Sequence, residues 1–252
     1  MSDRINIRGV YFDNVDSEDT MERIKSFLDS DGLSVMYTPN SEIVQFCIDD
    51  KSLYGVINSA QLIIPDGIGV VYASRILGTP LKAKVAGVET AEKVVEYASK
   101  TGKSVYIFGG AKKTAESKAV CEIAADKLCE KYPGLKIAGT RDGFFTDEEN
   151  DSIVEDINNS GADILFVCLG APKQEKWISA HKSELNAGVC MGIGGSLDVF
   201  AGTVKRAPEF FTKHGIEWLY RLMKQPSRFV RMLDLPRFAM KVLLKGRKFS
   251  QE

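Results

Sequence analysis

Short apolar runs alternate with amphipathic segments of helical period along most of the chain, and this alternation constrains the fold more than any other feature. The predicted strands are 34–37, 62–64, 104–108, 136–138, 163–169 and 188–191. The predicted helices lie near 18–30, 41–57, 68–77, 89–101, 112–131, 147–159 and 173–182. Because helices between successive strands favour parallel pairing, the pattern predicts an α/β fold, a Rossmann-like, mainly parallel sheet flanked by helices. In such folds ligands bind at the carboxyl ends of the strands.

Both the structural rhythm and the charge change after about residue 203. The first 202 residues carry 21 Lys and Arg against 30 Asp and Glu, whereas residues 203–252 carry 12 against 4. Residues 203–252 are also predicted to form helices and no strands, and prolines interrupt these helices. We therefore expect an α/β domain over 1–202 and a helical, basic C-terminal appendage over 203–252. The acidic body and the lack of a nucleic-acid-binding motif argue against a nucleic-acid partner.

The last predicted helix of the appendage is amphipathic. Its apolar positions follow helical spacing, at Leu235, Phe238, Ala239, Val242 and Leu243. Basic residues take the opposite stripe, at Arg237, Lys241 and Lys245. Such a helix suits an anionic membrane surface, but it equally suits packing on the body with its lysines in water. Further arginines, Arg221, Arg228 and Arg231, are interleaved with aromatic residues in the same appendage.

Several features exclude whole classes of protein. No apolar run approaches the ~18 residues that a membrane-spanning helix needs, and the N-terminus has no signal-peptide pattern. The five cysteines and two histidines lack metal-ligand spacing, so no metal site is expected and the cysteines read as core residues of a reducing cytoplasm. The segment 67–72 only partly matches a dinucleotide fingerprint, which argues against a nicotinamide cofactor.

Two segments place polar side chains directly after predicted strands. Thr38-Pro39-Asn40 follows the first strand, and Thr38 is expected either to cap a helix whose first residue is Pro39 or, with Asn40, to bind a sugar. Asp66 follows the second strand, with Gly67 next to it. Its carboxylate is expected to act either as a general base or as the N-cap of the helix from Ile68.

The later strand ends carry glycines and cations. Gly109 and Gly110 are expected to offer N–H groups to a phosphate at a helix start, and Arg141 to pair with a phosphate or with an acid. Lys173 and Gln174 lie in the first turn of the helix opened by Pro172, where dipole, cation and amide favour an anionic ligand. A further strand-to-helix junction contains the glycines Gly194 and Gly195.

Taken in order, these segments resemble the WecG/TagA/CpsF family of bacterial glycosyltransferases. The resemblance runs from about Tyr37 to Arg231. The segments that carry it are Thr38-Pro39-Asn40, Pro65-Asp66-Gly67, the run 170–175 (Gly-Ala-Pro-Lys-Gln-Glu), the run 194–202 (Gly-Gly-Ser-Leu-Asp-Val-Phe-Ala-Gly) and the run 217–222 (Glu-Trp-Leu-Tyr-Arg-Leu).

The resemblance implies a hexosyltransferase that moves N-acetylmannosamine or a related sugar from a UDP donor. The implied acceptor is N-acetylglucosamine on undecaprenyl diphosphate, and the implied products are teichoic acid or capsule-type polysaccharides. Transfer would be inverting and independent of metal or other cofactors. The implied location is the inner face of the bacterial plasma membrane, reached through the appendage. A homo-oligomer is left open, and the alternative function is a catalytically silent membrane scaffold.

The resemblance also implies roles for individual residues. Asp66 takes the position of the family's general base, and Thr38, Asn40 and Gln174 those of other active-site residues. The substrate-binding positions are expected at Asn40, Lys84, Gly109, Gly110, Arg141, Lys173, Gly194, Gly195, Arg221, Arg228 and Arg231, with the last three closing over the site. Lys84 and Glu89 replace an arginine and an aspartate of the family pattern; lysine lacks arginine's bidentate fork. These departures bear on the donor sugar.

Overall fold

The computed structural model describes residues 4–112, 114, 117–208, 210–211, 217–224 and 234–245. The strands within these residues are β1 (Arg4–Ile7), β2 (Val10–Asp13), β3 (Ser34–Tyr37), β4 (Leu62–Ile63), β5 (Ser104–Gly109), β6 (Lys136–Arg141), β7 (Ile164–Cys168) and β8 (Val189–Gly192). The helices are α1 (Ser17–Leu28), α2 (Ser41–Asp49), α3 (Ser52–Asn58), α4 (Ile68–Leu77), α5 (Gly87–Thr101), α6 (Val120–Lys131), α7 (Asn150–Asn159), α8 (Lys173–His181), α9 (Ser196–Phe200), α10 (Glu217–Lys224) and α11 (Asp234–Lys245).

Six strands form a parallel sheet in the order β4-β3-β8-β7-β5-β6. All six were predicted from the sequence, and the α/β fold class is confirmed. The central strand β7 is buried along its whole length, as expected for a parallel strand covered on both faces. Alternate residues of β5 divide between two cores, with Tyr106 and Phe108 on one face and Val105 and Ile107 on the other.

An antiparallel hairpin, β1–β2, precedes the sheet and was not predicted. Its turn residues Arg8 and Gly9 have φ values of 54° and 91°, the positive values of a type I′ hairpin turn. The hairpin is held to the sheet by Asp13, which is fully buried. Its carboxylate pairs with Arg23 at 2.7 Å and accepts a hydrogen bond from the Ile63 N–H at 2.8 Å.

Two predicted helices have different bounds in the structure. The helix expected over 41–57 is two helices, α2 and α3, because the chain becomes extended at Asp50. The Asp50 side chain then accepts hydrogen bonds from the backbone and hydroxyl of Ser52 and so starts α3. The helix expected from residue 112 begins only at Val120.

The helix α11 packs against α2 and α4 on the body of the protein. Phe238 and Val242 are buried in this contact, and Lys241 pairs with Asp49 at the end of α2 at 3.1 Å. Leu243 and Leu244 point away and are 65% and 79% exposed. The predicted apolar stripe is therefore divided, with one part packed on the body and the other open. No helix in the described residues combines the length and the apolar character that crossing a bilayer requires.

Candidate active site

The predicted site residues that follow β4, β3, β8 and β7 lie at four neighbouring strand ends. These four strands are adjacent in the sheet, and because they are parallel their carboxyl ends open on the same edge. Asp66, Thr38, Gly194 and Gln174 each follow one of them. Two groups of contacts are visible here, one around Thr38, Asn40 and Asp66 and one around Gln174.

The segment after β3 supplies Thr38 and Asn40. The N-cap of α2 is Asn40 rather than Thr38: Oδ1 of Asn40 accepts hydrogen bonds from the N–H groups of Glu42 and Ile43, at 2.9 and 3.1 Å. The alternative in which Thr38 caps a helix that begins at Pro39 was therefore wrong, because α2 begins at Ser41. Thr38 is half-buried and lies against Gly87 at the start of α5, where an added Cβ would be 3.0 Å from its hydroxyl oxygen.

Asp66 follows β4 and is half-buried. The alternative interpretation as a helix cap is wrong, because Gly67 occupies the N-cap position of α4 with φ 92° and the cap has no side-chain hydrogen bond. The backbone N–H of Asp66 donates to the Pro39 carbonyl at 3.2 Å. Gly67 lies against Asn40: a Cβ added to Gly67 would be 3.6 Å from the Cβ of Asn40. The Asp66 and Asn40 segments are therefore fixed side by side.

Lys84 belongs to a connection that is tied down on both sides. Before it, Lys82 donates through Nζ to Asp16, the N-cap of α1, at 2.5 Å and to Asp19 within that helix at 2.6 Å. After it, the N–H of Val85 donates to the carbonyl of Pro65 at 2.9 Å. Lys84 is half-buried. This anchoring places its backbone next to the strand end that carries Asp66.

Gln174 lies in the first turn of α8 and is only 3% exposed. Its Nε2 donates to Oε1 of Glu175 at 2.8 Å. Its side chain lies over the end of β8, since a Cβ added to Gly192 would be 3.0 Å from Nε2. Lys173, one residue earlier, is exposed, with Nζ 4.2 Å from the centre of the Phe145 ring. The predicted helix start after Pro172 is confirmed.

The remaining glycines have mainly structural contacts. Gly109 abuts the backbone of Cys168 and has φ 129°, so any side chain there would collide with β7. Gly110 donates its N–H to the Cys168 carbonyl at 3.1 Å. Since α6 starts at Val120, these two glycines do not open a helix, and that part of the prediction was wrong. Gly194 has φ 44° and precedes Gly195, the N-cap of the five-residue α9.

The predicted basic residues have different outcomes. Arg141, at the end of β6, pairs with Glu149 at 3.1 Å, the acid partner that was one of its two alternatives. Arg221 lies on α10, and its side chain is outside what the structure describes. Arg228 and Arg231 lie outside the described residues altogether. Their roles in binding stay predictions.

Sequence reasoning passed over two contributors to these contacts. Glu175 was read only as part of a motif, yet it is 1% exposed, and burial raises the pKa of its carboxyl group. Gly192, at the end of β8, has no side chain and so makes room for Gln174. The burial of Glu175 could have been predicted from the sequence, because Glu175 is next to Gln174 and shares a helix with the apolar residues Trp177 and Ile178. Within the described ranges, no three or more His, Cys, Asp or Glu side chains are grouped to hold a metal ion.

Comparison with known proteins places this geometry in context. The family model described as Glycosyl transferase WecG/TagA/CpsF family matches residues 5–252. The N-acetylglucosaminyldiphosphoundecaprenol N-acetyl-beta-D-mannosaminyltransferase of Bacillus subtilis is 36% identical over 219 residues, which are 87% of this chain and 82% of that protein. The protein of the same name from Staphylococcus aureus strain MW2 is 34% identical over 250 residues, 98% and 95% of the two chains.

Proposed function

The chain belongs to the WecG/TagA/CpsF family of glycosyltransferases, and we propose that it transfers N-acetylmannosamine from UDP to undecaprenyl-diphosphate-linked N-acetylglucosamine. The names of the Bacillus and Staphylococcus relatives support both the sugar that is moved and the lipid-linked acceptor. The products would enter teichoic acid or a similar surface polysaccharide. That the donor sugar is linked to UDP is expected from the resemblance to the family.

The observation that carries the proposal is the position of Asp66. Asp66 follows a buried strand at the ligand edge of the sheet, its backbone lies beside the Asn40 segment and the anchored Lys84 connection, and it is not the N-cap of the helix that follows. In an inverting transfer, the acceptor hydroxyl attacks the anomeric carbon from the face opposite UDP. Asp66 takes the hydroxyl proton as the new bond forms, a contribution of typically ~10²–10⁴-fold in rate.

The departing UDP develops negative charge that cationic groups must stabilise. Lys84 and Lys173 are the best-placed candidates, because Lys84 lies near Asp66 and Lys173 is exposed beside Gln174. Arg141 forms an ion pair with Glu149, and this weakens its electrostatic attraction for a phosphate. The appendage arginines Arg221, Arg228 and Arg231 complete the proposed set. Metal-independent transfer predicts full activity in excess chelator, and restoration by a divalent ion would contradict it.

The appendage, residues 203–252, is proposed to bring this site to the anionic inner face of the plasma membrane. Supporting this, α11 is anchored on the body by Phe238 and Val242 and still leaves Leu243 and Leu244 in the open. Its basic residues suit anionic headgroups, at ~1 kcal/mol for each residue near such a surface. Removing 203–252 is expected to abolish both vesicle binding and most transfer. Full transfer by the truncated chain would contradict this role.

The decisive experiment measures sugar transfer to a short-chain diphosphate-linked N-acetylglucosamine by mass spectrometry. We expect Asp66→Asn to lower kcat by about 10²–10⁴-fold with unchanged thermal unfolding. The matched control is Asp31→Asn at an exposed position, which should leave kcat unchanged. Retention of most of the turnover by Asp66→Asn rules Asp66 out as the base. A wild-type chain that binds vesicles but transfers no sugar from any UDP donor favours the silent scaffold instead.

A further inference from the structure

Gln174 and Glu175 form a buried polar pair in the first turn of α8. Nε2 of Gln174 donates to Oε1 of Glu175, and the two residues are 3% and 1% exposed. One oxygen of each side chain, Oε1 of Gln174 and Oε2 of Glu175, is buried and has no hydrogen-bond partner in the described part of the chain. Buried polar atoms are nearly always hydrogen-bonded, so an unbonded oxygen at the carboxyl end of the sheet points to a donor on a ligand.

The Gln174 amide lies close to the end of β8. A Cβ added to Gly192 would lie 3.0 Å from Nε2 of Gln174, and a Cβ added to Gly194 would lie 3.4 Å from its Oε1. The amide therefore lies close to the backbone at two positions that have no side chain. Gly194 follows β8 at the same sheet edge as Asp66. Of the two polar atoms of the Gln174 amide, the carbonyl oxygen Oε1 is the one nearer to Gly194.

The orientation of the amide follows from its neighbour. A carboxylate can only accept hydrogen bonds, and a protonated carboxyl group keeps a carbonyl oxygen that accepts. Burial raises the pKa of Glu175, whose main-chain carbonyl also accepts a hydrogen bond from the Tyr37 hydroxyl at 3.2 Å. In the structure the Gln174 side that carries Nε2 faces Glu175, whose Oε1 accepts its hydrogen bond. Its carbonyl oxygen is left as the group that can meet a substrate.

We propose that Glu175 is a positioning residue that holds the Gln174 amide with its carbonyl oxygen toward the site, so that Gln174 accepts a hydrogen bond from an N–H or O–H of a sugar. The inference rests on the proposed function for the identity of that ligand. It gives Gln174 a role in recognising the sugar rather than the diphosphate, because phosphate oxygens offer no hydrogen to a carbonyl oxygen.

A double-mutant cycle tests whether Glu175 acts through Gln174. Glu175→Leu removes the acceptor with little change in volume, and we expect kcat/KM to fall about 10²-fold, because small misplacements of a site group cost that much. Glu175→Gln keeps an acceptor and should recover part of the loss. In a Gln174→Leu background, Glu175→Leu should change kcat/KM less than about threefold. Full additivity of the two losses overturns the proposal, since it would mean a general structural role.

A second measurement needs no substrate. The side-chain NH2 signals of Gln174, identified as those lost in Gln174→Leu, are followed by hydrogen exchange in NMR spectra of the full chain. We expect slow exchange in the wild type, at least tenfold faster exchange in Glu175→Leu, and no change in the exposed control Glu155→Leu. Unchanged exchange in Glu175→Leu overturns the inference whatever the activity. If the wild type transfers no sugar, the proposed function fails and this measurement alone decides about Glu175.

Discussion

At the scale of single residues, glycines determine how closely backbone and side chains meet at the site. Gly87 lets α5 start against Thr38, and Gly67 lies beside Asn40. Gly67 also has φ 92°, a backbone conformation that residues with a side chain rarely adopt, so the turn after Asp66 depends on glycine. These contacts explain why a glycine with no chemical group of its own can influence catalysis.

Replacing Gly87 by alanine is expected to disturb Thr38. The new Cβ would lie 3.0–3.2 Å from three atoms of the Thr38 side chain, which must shift by a few tenths of an ångström. We expect kcat/KM to fall about tenfold, as for other small misplacements of site groups. The control is Gly55→Ala in α3, where the added Cβ meets nothing within 4 Å. That variant should keep its activity and gain about 0.5–1 kcal/mol of stability in chemical denaturation.

The raised pKa of Glu175 predicts a pH dependence of stability. Its neutral form is favoured in the folded protein, so its contribution is fully present below the unfolded-state pKa of about 4.3 and is lost as the pH rises through the folded-state pKa. The nearby Cys47 thiol stays neutral in this range, since burial raises its pKa to about 12. In denaturation experiments, the free energy of unfolding of Glu175→Gln relative to that of the wild type should therefore increase as the pH rises from 4. A constant difference would contradict burial of an ionisable group there.

At the scale of elements, α2 extends from the candidate site to the contact with α11. Its first turn is capped by Asn40, one face is packed under α11, and its last residue, Asp49, pairs with Lys241. The single oxygen Oδ1 of Asn40 does the capping, so the amide nitrogen of the same side chain takes no part in it. One residue thus serves both helix stability and the proposed binding, and substitutions can separate the two.

Asn40→Ser and Asn40→Ala are expected to differ in stability but not in activity. Serine keeps an oxygen that can cap α2, whereas alanine loses the cap at a cost of about 1 kcal/mol. Both lose the amide nitrogen, so both should raise KM for a substrate by a similar factor. Urea denaturation and steady-state kinetics measure the two effects independently. Wild-type kinetics in Asn40→Ser would show that Asn40 only caps the helix.

At the scale of the whole molecule, the open side of α11 is an apolar surface beside basic residues. Met240, Leu243 and Leu244 are 57%, 65% and 79% exposed. We expect the double change Leu243→Ser and Leu244→Ser to weaken binding to anionic vesicles at least tenfold, because burying a leucine contributes ~1.5–3 kcal/mol. Thermal unfolding should not change. Sedimentation with vesicles measures the loss, and undiminished binding would place the membrane contact elsewhere.

Much of this architecture could be predicted because parallel strands buried on both faces stand out as apolar runs, as in β5 and β7. The hairpin β1–β2 could not, since Arg4, Asn6 and Arg8 break its apolar character and an arginine with positive φ is an unusual turn residue. Thr38 and Asn40 are both good capping residues, so spacing could not choose between them. The resemblance indicated Gln174, but its dependence on Glu175 and Gly192 needed three-dimensional contacts.

The place of β8 in the sheet has a consequence for how the protein is made. β8 lies between β3 and β7, although residues 189–192 are synthesised long after residue 37. Until they leave the ribosome, β3 and β7 each present an unpaired edge, and such edges invite aggregation. Insertion of β8 also brings Gly192 beneath Gln174. Closure of the sheet and completion of the candidate site are therefore expected together, late in synthesis, and we expect a nascent chain that stalls before residue 192 to be inactive and prone to aggregate.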